Sequence, residues 1–310
     1  MNTGIGKYIK VIGRGKDGAR PLTREQATDL FGQVLDRSVT DFEIGAFCLA
    51  MRIKGETPEE MAGFLDATDA RLRRMPTHGR VAVVLPSYNG ARKLPVLTPL
   101  LALLLAREGL PVIVHGAVTE SGRVTSSGEV LRELGVATQT TIETATPGSV
   151  QFVPTALLCP GLQALLEVRR LVGLRNPAHS LVKLMNPCDG PAVIVGSYTH
   201  PEYAVSMAAT LRLVEATALL LRGTEGEPVA DLRRTPAMDA FAGGEITRVQ
   251  EPLTGTLASV PDMPAPDAQS TALWTKAVLD GQVPVPEPIA LQVTHLVQLA
   301  GQLQKASRRA

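Results

Sequence analysis

The alternation of apolar and polar residues divides the chain into a helical first part and a longer part in which strands and helices alternate. Between residues 22 and 74, apolar residues recur every three or four positions, which is typical of short amphipathic helices. From Val81 onward, apolar runs of strand length are separated by helical stretches. This rhythm predicts a mostly parallel sheet flanked by helices. We therefore predict an α/β protein with a small helical N-terminal domain over residues 1–78 and a larger α/β domain over residues 79–310.

The clearest predicted strand is the run VAVVL at residues 81–85, which ends at Pro86 and precedes an apolar helix. The loop PSYNGARK, residues 86–93, lies between the two. Loops at the carboxyl ends of parallel strands are where α/β folds bind ligands, and their free N–H groups favour anions. The loop is therefore the first candidate for binding phosphate. The alternative is an ordinary strand-to-helix turn.

The loop offers four candidate ligands for phosphate: Ser87, Asn89, Arg92 and Lys93. We expect the two cations to lie near the start of the following helix, where they oppose the helix dipole. Phosphate contact would explain that placement better than helix stability does. A solvated surface pair is the alternative.

A second polar cluster lies in the sequence RNPAHSLVK, within an otherwise apolar region. It contains Arg175, Asn176, His179 and Lys183, with Lys183 one helical turn beyond His179. Arginine can hold a phosphate with two donors, so Arg175, His179 and Lys183 are candidate phosphate ligands. The alternative is a buried structural network. We expect His115, after a predicted strand, to be a core or turn histidine.

The segment over residues 1–24 is basic, with Asp17 as its one acid. Its candidate phosphate ligands are Lys7, Lys10, Arg14, Lys16 and Arg20. The string GRGKDG within it matches the spacing GxGxxG, but no strand precedes it and Pro21 follows closely. We therefore favour a glycine-rich basic loop over a nucleotide site, with a solvated tail as the alternative.

The composition of the chain excludes several classes of protein. With 45% hydrophobic residues, a chain of 310 residues can bury a large core, and a net charge of +1 creates no bulk attraction to nucleic acid or membrane. The start lacks the apolar run of a secretory signal, and the most apolar segment, Leu94–Ala106, is too short to span a bilayer. Three widely spaced cysteines form no disulfide or zinc pattern, so we expect reduced thiols, no metal site and a cytoplasmic location.

Several motifs occur together and in order: GRGKDGAR, RIKGETPEEMAGF, PSYNGARK, VIVHG, VRRLVGLRNPAH and LMNP. In this combination nearly the whole chain resembles the anthranilate phosphoribosyltransferase family, and within it the YbiB-type branch, whose members are described as DNA-binding. The resemblance implies the class II nucleoside phosphorylase fold, with a small helical domain, a larger α/β domain and dimerisation through the helical domain.

The departures from the enzymes' pattern fall on their chemistry. The enzymes carry a GTGGD loop whose bare backbone wraps pyrophosphate, whereas here Pro86 removes a donor, and Tyr88 and Asn89 fill the space. Val114 stands where the enzymes' KHGNR motif has its lysine. Arg175, which aligns with an arginine that the enzymes use on anthranilate, remains.

The magnesium site is also altered. The enzymes use an adjacent Asp-Glu pair, whereas here Gly226 stands at the aspartate, leaving Glu227 with Glu225 nearby. A hard divalent cation with one carboxylate fewer should bind poorly.

From these residues and this resemblance we predict a homodimer that binds DNA or RNA through the phosphate backbone, with little sequence specificity, no cofactor and no catalysis. Aromatic residues make up only 4%, so an extended base-stacking platform is not expected. The alternative is a phosphoribosyltransferase or related glycosyltransferase that uses phosphoribosyl pyrophosphate and magnesium with Arg175, His115 and Glu227. A third alternative is that the loop binds only a small anion such as phosphate.

Overall fold

The computed structural model of the chain describes residues 4–117, 124–253 and 262–308, apart from the side chain of Lys16. The helices in these ranges are α1 (Gly6–Ile12), α2 (Gly15–Gly18), α3 (Arg24–Leu35), α4 (Asp41–Lys54), α5 (Pro58–Asp69), α6 (Thr98–Arg107), α7 (Ser127–Glu133), α8 (Thr155–Leu158), α9 (Pro160–Val172), α10 (Ala178–Leu181), α11 (Pro201–Leu213), α12 (Ala268–Leu279) and α13 (Glu287–Ser307). The strands are β1 (Ala82–Pro86), β2 (Val112–Gly116), β3 (Val150–Pro154), β4 (Ala192–Tyr198), β5 (Ala218–Arg222), β6 (Met238–Ala242) and β7 (Glu245–Gln250).

The chain forms two compact units. The helical unit comprises Met1–Arg73 and Thr155–Met185, and the α/β unit comprises Arg74–Pro154 and Asn186–Ala310. The linear division at residue 78 that we expected therefore omits a second segment of the helical unit, which carries α8, α9 and α10. The chain leaves the α/β unit at the end of β3 and returns to it before β4, and no change of hydrophobic period marks that excursion.

The α/β unit is built on one seven-stranded sheet in the order β3-β2-β1-β4-β5-β6-β7. The first five strands of the chain are parallel, and β6 and β7 form an antiparallel hairpin at one side. The predicted fold class is confirmed: a helical N-terminal part and a larger α/β part with a mostly parallel sheet. The parallel strands place their carboxyl ends, from Pro86 to Arg222, along a single edge of the sheet.

The central strands are buried on both faces, as their continuous apolar runs predict. Val83, Leu85, Val193 and Leu219 belong to one apolar cluster with residues of α6 and α13. None of the helices in the described ranges has the length and apolar character needed to span a bilayer. All three cysteines are buried and unpaired.

Three helices of the helical unit begin at threonines with complete capping boxes. Thr23, Thr40 and Thr57 each accept a hydrogen bond from the backbone of the third helical residue, whose side chain accepts one from the threonine backbone in return. Each cap contributes about 1 kcal/mol. These starts were readable from sequence, because a threonine followed three residues later by Gln or Glu specifies a cap.

An aromatic core holds α3, α4 and α5 together. The rings of Phe31 and Phe64 stack with their centroids 4.6 Å apart, and Phe47 meets both rings edge-on. The basic N-terminal segment also belongs to this packing. The prediction of a glycine-rich loop there was wrong, since α1 and α2 are helical and Tyr8 and Ile12 are buried.

Candidate functional site

The loop after β1 extends from residue 87 to residue 97 at the carboxyl edge of the sheet. The expectation that Arg92 and Lys93 lie near the start of the next helix was wrong, because α6 begins only at Thr98. Pro95 explains the delay, since the residue before a proline disfavours helical backbone. Proline is tolerated in the first helical turn, where Pro99 stands.

The buried carboxylate of Glu227 is the centre of the loop's hydrogen bonding. Glu227 is 1% exposed, and its Oε1 accepts hydrogen bonds from the backbone N–H groups of Asn89 at 2.8 Å and Gly90 at 2.9 Å. Its Oε2 accepts from the hydroxyl groups of Ser87, Thr98 and Ser127, the last two at 3.2 Å and 3.4 Å. We call these five donor residues the cradle.

Glu225 supplies a second carboxylate to the same loop. Its oxygens accept hydrogen bonds from the backbone N–H groups of Arg92 at 2.6 Å and Lys93 at 3.1 Å. Its backbone carbonyl accepts a further one from the Asn89 side chain at 3.0 Å. The loop therefore donates four backbone hydrogen bonds to carboxylates of its own chain, and the anion site that its position predicts is filled from within.

Two glycines of the site occupy positions where a side chain would not fit. Gly226 has φ +86°, and a Cβ atom there would collide with the side-chain amide of Asn89. Gly90 has φ +63°, and a Cβ atom there would collide with Val124 and the backbone of Thr125. Glycine at 226 is thus required by the close approach.

The four predicted ligands in the loop have different surroundings. Ser87 is buried and its hydroxyl group bonds Glu227, so it cannot contact a polymer. Asn89 is half-buried and bonded to Glu225. Arg92 and Lys93 are exposed, and their side chains have no ion-pair partner in the described part of the chain.

Tyr88 of the loop contacts His115 of β2. The Tyr88 hydroxyl lies 2.8 Å from Nδ1 of His115, and the rings meet edge-on. Burial lowers the pKa of His115 to about 3, so the imidazole is neutral at pH 7. This fits the core histidine that we expected and makes a cationic role in phosphate binding untenable.

Sequence reasoning missed further cations at the same edge. Arg222 ends β5 and is exposed, with no ion-pair partner among the residues that the structure describes. The pKa of Arg233 is raised chiefly by its hydrogen bond to Asp231 and in smaller part by the charge of Glu225, which also bonds the loop.

The hairpin strand β7 adds Arg248. Arg248 pairs with Asp239. Burial raises the pKa of Tyr198, and the charges of Arg248 and Arg222 lower it by a smaller amount, so both arginines lie near this tyrosine. We call the group of these side chains with the two loop cations the edge cations: Arg92, Lys93, Arg222, Arg233 and Arg248. The position of Arg222 after an apolar run could have identified it, whereas the others depend on pairings between distant segments.

The second predicted cluster lies in the helical unit. Arg175 is exposed, while Asn176 is buried and donates from its side chain to the Leu165 carbonyl at 2.8 Å. Burial lowers the pKa of His179 to about 4, and Lys183 is 7% exposed. Much of the cluster therefore forms the buried structural network that was the alternative, with Arg175 as its exposed cation.

The N-terminal candidates line the exposed side of α1, α2 and the following turn. Lys7 lies 4.6 Å from the Tyr8 ring centroid and 3.7 Å from Asp29. Lys10, Arg14 and Arg20 are exposed, whereas the side chain of Lys16 lies outside the described residues. Arg14 donates to the Lys10 carbonyl at 2.9 Å, so part of this segment's donor capacity serves the helix itself.

The acidic residues of the site do not fit a magnesium ion. Both oxygens of Glu227 are bonded to the cradle, and both oxygens of Glu225 are bonded to loop amides. Within the described ranges, no group of three His, Cys, Asp or Glu side chains is placed to hold a metal. Divalent cations need several free oxygen ligands, which neither carboxylate offers.

Comparisons with known proteins identify relatives of the chain. Residues 7–71 match the family described as glycosyl transferase family, helical bundle domain. The chain is 38% identical to YbiB of Escherichia coli (strain K12), described as an uncharacterized protein, over 96% of this chain and 94% of that one. It is 27% identical to the anthranilate phosphoribosyltransferase of Natronomonas pharaonis, over 81% of this chain and 82% of the relative.

Solved structures show the same fold. The crystal structure of anthranilate phosphoribosyltransferase from Thermus thermophilus matches with a TM-score of 0.71 at 21% identity, covering 100% of each chain. The Saccharomyces cerevisiae enzyme in complex with PRPP and Mg matches with a TM-score of 0.67 at 13% identity, covering 97% of this chain and 89% of that one.

Proposed function

The chain belongs to the anthranilate phosphoribosyltransferase superfamily, and from its altered site we propose that it is a homodimeric nucleic-acid-binding protein. It would contact the phosphate backbone of DNA or RNA with little reading of sequence, and it would act in the cytoplasm. The phosphoribosyltransferase fold would then serve as a scaffold.

One contrast carries the proposal. The backbone donors of the loop are bonded to Glu225 and Glu227, while the side chains of Arg92 and Lys93 project from the same loop without an ion-pair partner among the described residues. A small anion would have to displace a buried carboxylate, whereas a polymer needs only the exposed cations. Arginine and lysine side chains supply most of the affinity in backbone binding.

Other cations extend this surface in the α/β unit. Arg222 is exposed and has no ion-pair partner within the described ranges. Arg233 pairs with Asp231, and Arg248 pairs with Asp239 and Glu251, while both arginine side chains stay more than 40% exposed. The exposed pair of Arg248 with Glu251 contributes little stability, so Arg248 can also contact phosphate, whereas Arg233 is held by two hydrogen bonds to Asp231. In the helical unit, Arg175 and the cations of the N-terminal helices are further candidate contacts.

The homodimer is proposed from the apolar surface of the helical unit. Phe42 is 92% exposed at the start of α4, and Leu49 and Ile53 follow on the same helix. Leu171, at the end of α9, is 90% exposed. Phe42, Leu49 and Ile53 are spaced seven and four residues apart, so they lie on one face of α4. A contiguous exposed apolar face of this kind marks a protein–protein interface. A second copy would double the edge cations available to one nucleic acid.

Titration of labelled single- and double-stranded DNA at increasing salt, followed by fluorescence anisotropy, tests the function. We expect the logarithm of the binding constant to fall linearly with the logarithm of the salt concentration, because released counterions drive backbone binding. We also expect similar affinities for unrelated sequences. An affinity that is independent of salt would contradict the proposal.

The rival function is a phosphoribosyltransferase, and the relatives named as such favour it. It requires binding of phosphoribosyl pyrophosphate with magnesium. Calorimetry with that pair of ligands separates the two functions, since we expect no heat of binding. A clear micromolar dissociation constant would restore the enzyme.

A further inference from the structure

The α/β unit also contains an anion site that is separate from the proposed nucleic-acid contacts. A carboxylate of the chain itself fills this site. The cradle places two backbone N–H groups and three hydroxyl groups around the Glu227 carboxylate, which is 1% exposed. The donors come from the loop after β1 and from the starts of α6 and α7, and the carboxylate comes from a segment further along the chain. A carboxylate bonded in this way satisfies buried polar groups that would otherwise be costly.

We propose that the cradle is a binding site for small oxyanions whose resident ligand is the chain's own Glu227 carboxylate. The site fits an oxyanion, because two N–H groups bond one oxygen atom of the carboxylate and three hydroxyl groups bond the other. An intramolecular ligand has a high effective concentration and loses no translational entropy when it binds. Free phosphate or pyrophosphate therefore does not compete with it.

The neighbouring Glu225 shows why the assignment is specific to Glu227. The Glu225 carboxylate is half-buried and bonds two amides of a solvated loop stretch, so water can replace it. Four of the five cradle residues around the Glu227 carboxylate are buried, so water does not replace it. The two residues are therefore a matched pair, with the same side chain on the same segment and different burial.

Removal of the internal ligand should convert the cradle into a site for an external one. In Glu227→Ala, formate or acetate should raise the melting temperature in a saturable way, by about 3 °C or more over sodium chloride of equal ionic strength. Wild type and Glu225→Ala should respond to formate and chloride alike. Equal responses in all three proteins, or no response to formate in Glu227→Ala, would overturn the proposal.

A second measurement uses the wild-type protein and does not depend on how the variant folds. In 1H–15N correlation spectra, the amide signals of Asn89 and Gly90 should not move on addition of pyrophosphate, because Glu227 keeps them. If these two signals shift with saturation, an external anion displaces Glu227 and the proposal fails. Neither readout involves DNA, so this result and the test of nucleic-acid binding are independent.

Discussion

The most exposed apolar side chains of the helical unit and the carboxyl edge of the sheet in the α/β unit are two different kinds of surface. In the helical unit, cations such as Arg24 and Arg71 are paired with acids at 2.6 Å and 2.5 Å, while Phe42 and Leu171 are exposed. At the carboxyl edge of the sheet in the α/β unit, the apolar side chains are buried and Arg92 is exposed without an ion-pair partner in the described ranges. The near-zero net charge of the chain therefore hides a difference between two surfaces, which fits the proposed roles of self-association in one unit and phosphate binding in the other.

The largest effect is expected from reversing charge at the edge. The double variant Arg92→Glu/Lys93→Glu should bind DNA about a hundredfold more weakly at low salt, because two phosphate contacts become repulsive. Anisotropy titrations measure the loss, and circular dichroism checks the fold.

The matched control reverses two cations at the opposite edge of the sheet. Arg80 precedes β1, and Lys305 follows Gln304, whose side chain bonds the backbone of Gly79 and Val81. Arg80→Glu/Lys305→Glu makes the same change in net charge. Equal losses in both double variants would mean that total charge, not the edge, sets the affinity.

A smaller effect on affinity is expected from separating the two copies. Phe42→Glu/Leu171→Glu should give a monomer by light scattering and weaken DNA binding about tenfold, because the second set of cations is lost. Val205→Glu/Leu273→Glu, at exposed apolar positions of the α/β unit, is the control and should stay dimeric. A dimer that survives the first pair of substitutions would place the interface elsewhere.

Reversal of the N-terminal cations should have a still smaller effect. Lys10→Glu/Arg14→Glu should lower the affinity about threefold, because Arg14 already donates to the Lys10 carbonyl and has less capacity left for phosphate. A loss of affinity as large as that of the Arg92/Lys93 variant would show that both units contribute equally to phosphate binding.

The histidine of the second cluster should matter least for binding. With its pKa lowered to about 4, His179 is neutral at pH 7, so His179→Asn should change DNA affinity less than about twofold.

The same lowered pKa values predict a pH dependence of stability. Below about pH 6.5 the unfolded chain protonates His115 and His179 while the folded chain does not, until the pH approaches about 4 for His179 and about 3 for His115. The free energy of unfolding should therefore fall as the pH falls in this range, by about 1.4 kcal/mol per unit for each histidine. Urea unfolding between pH 7 and pH 5 measures the slope, which should become shallower in His179→Asn.

The local pattern of apolar and capping residues predicted much of the fold. It did not predict the pairing of strands in the β6–β7 hairpin. The strands β1, β2, β4 and β5 follow from apolar runs, and the helix starts at Thr23 and Thr57 follow from their caps. The hairpin of β6 and β7 was missed because β7 is largely exposed and carries no apolar run.

The sequence predicted where the site lies but not which groups fill it. The loop lies at the carboxyl edge as expected, yet its anions are Glu225 and Glu227, which we had considered as remnants of a magnesium site. No local rule joins Asn89 to a residue so far along the chain. The hydrogen bonds of Glu225 and Glu227 to the loop depend on the tertiary fold, so only the structure could reveal them.

The dependence of DNA affinity on salt for wild type and for Arg92→Ala/Lys93→Ala tests the central claim most directly. Each lost phosphate contact reduces the slope of the double-logarithmic plot by about 0.9 for duplex DNA, so the variant should have a slope shallower by roughly 2. An unchanged slope, with the fold intact, would show that these two side chains do not contact phosphate and would contradict the account.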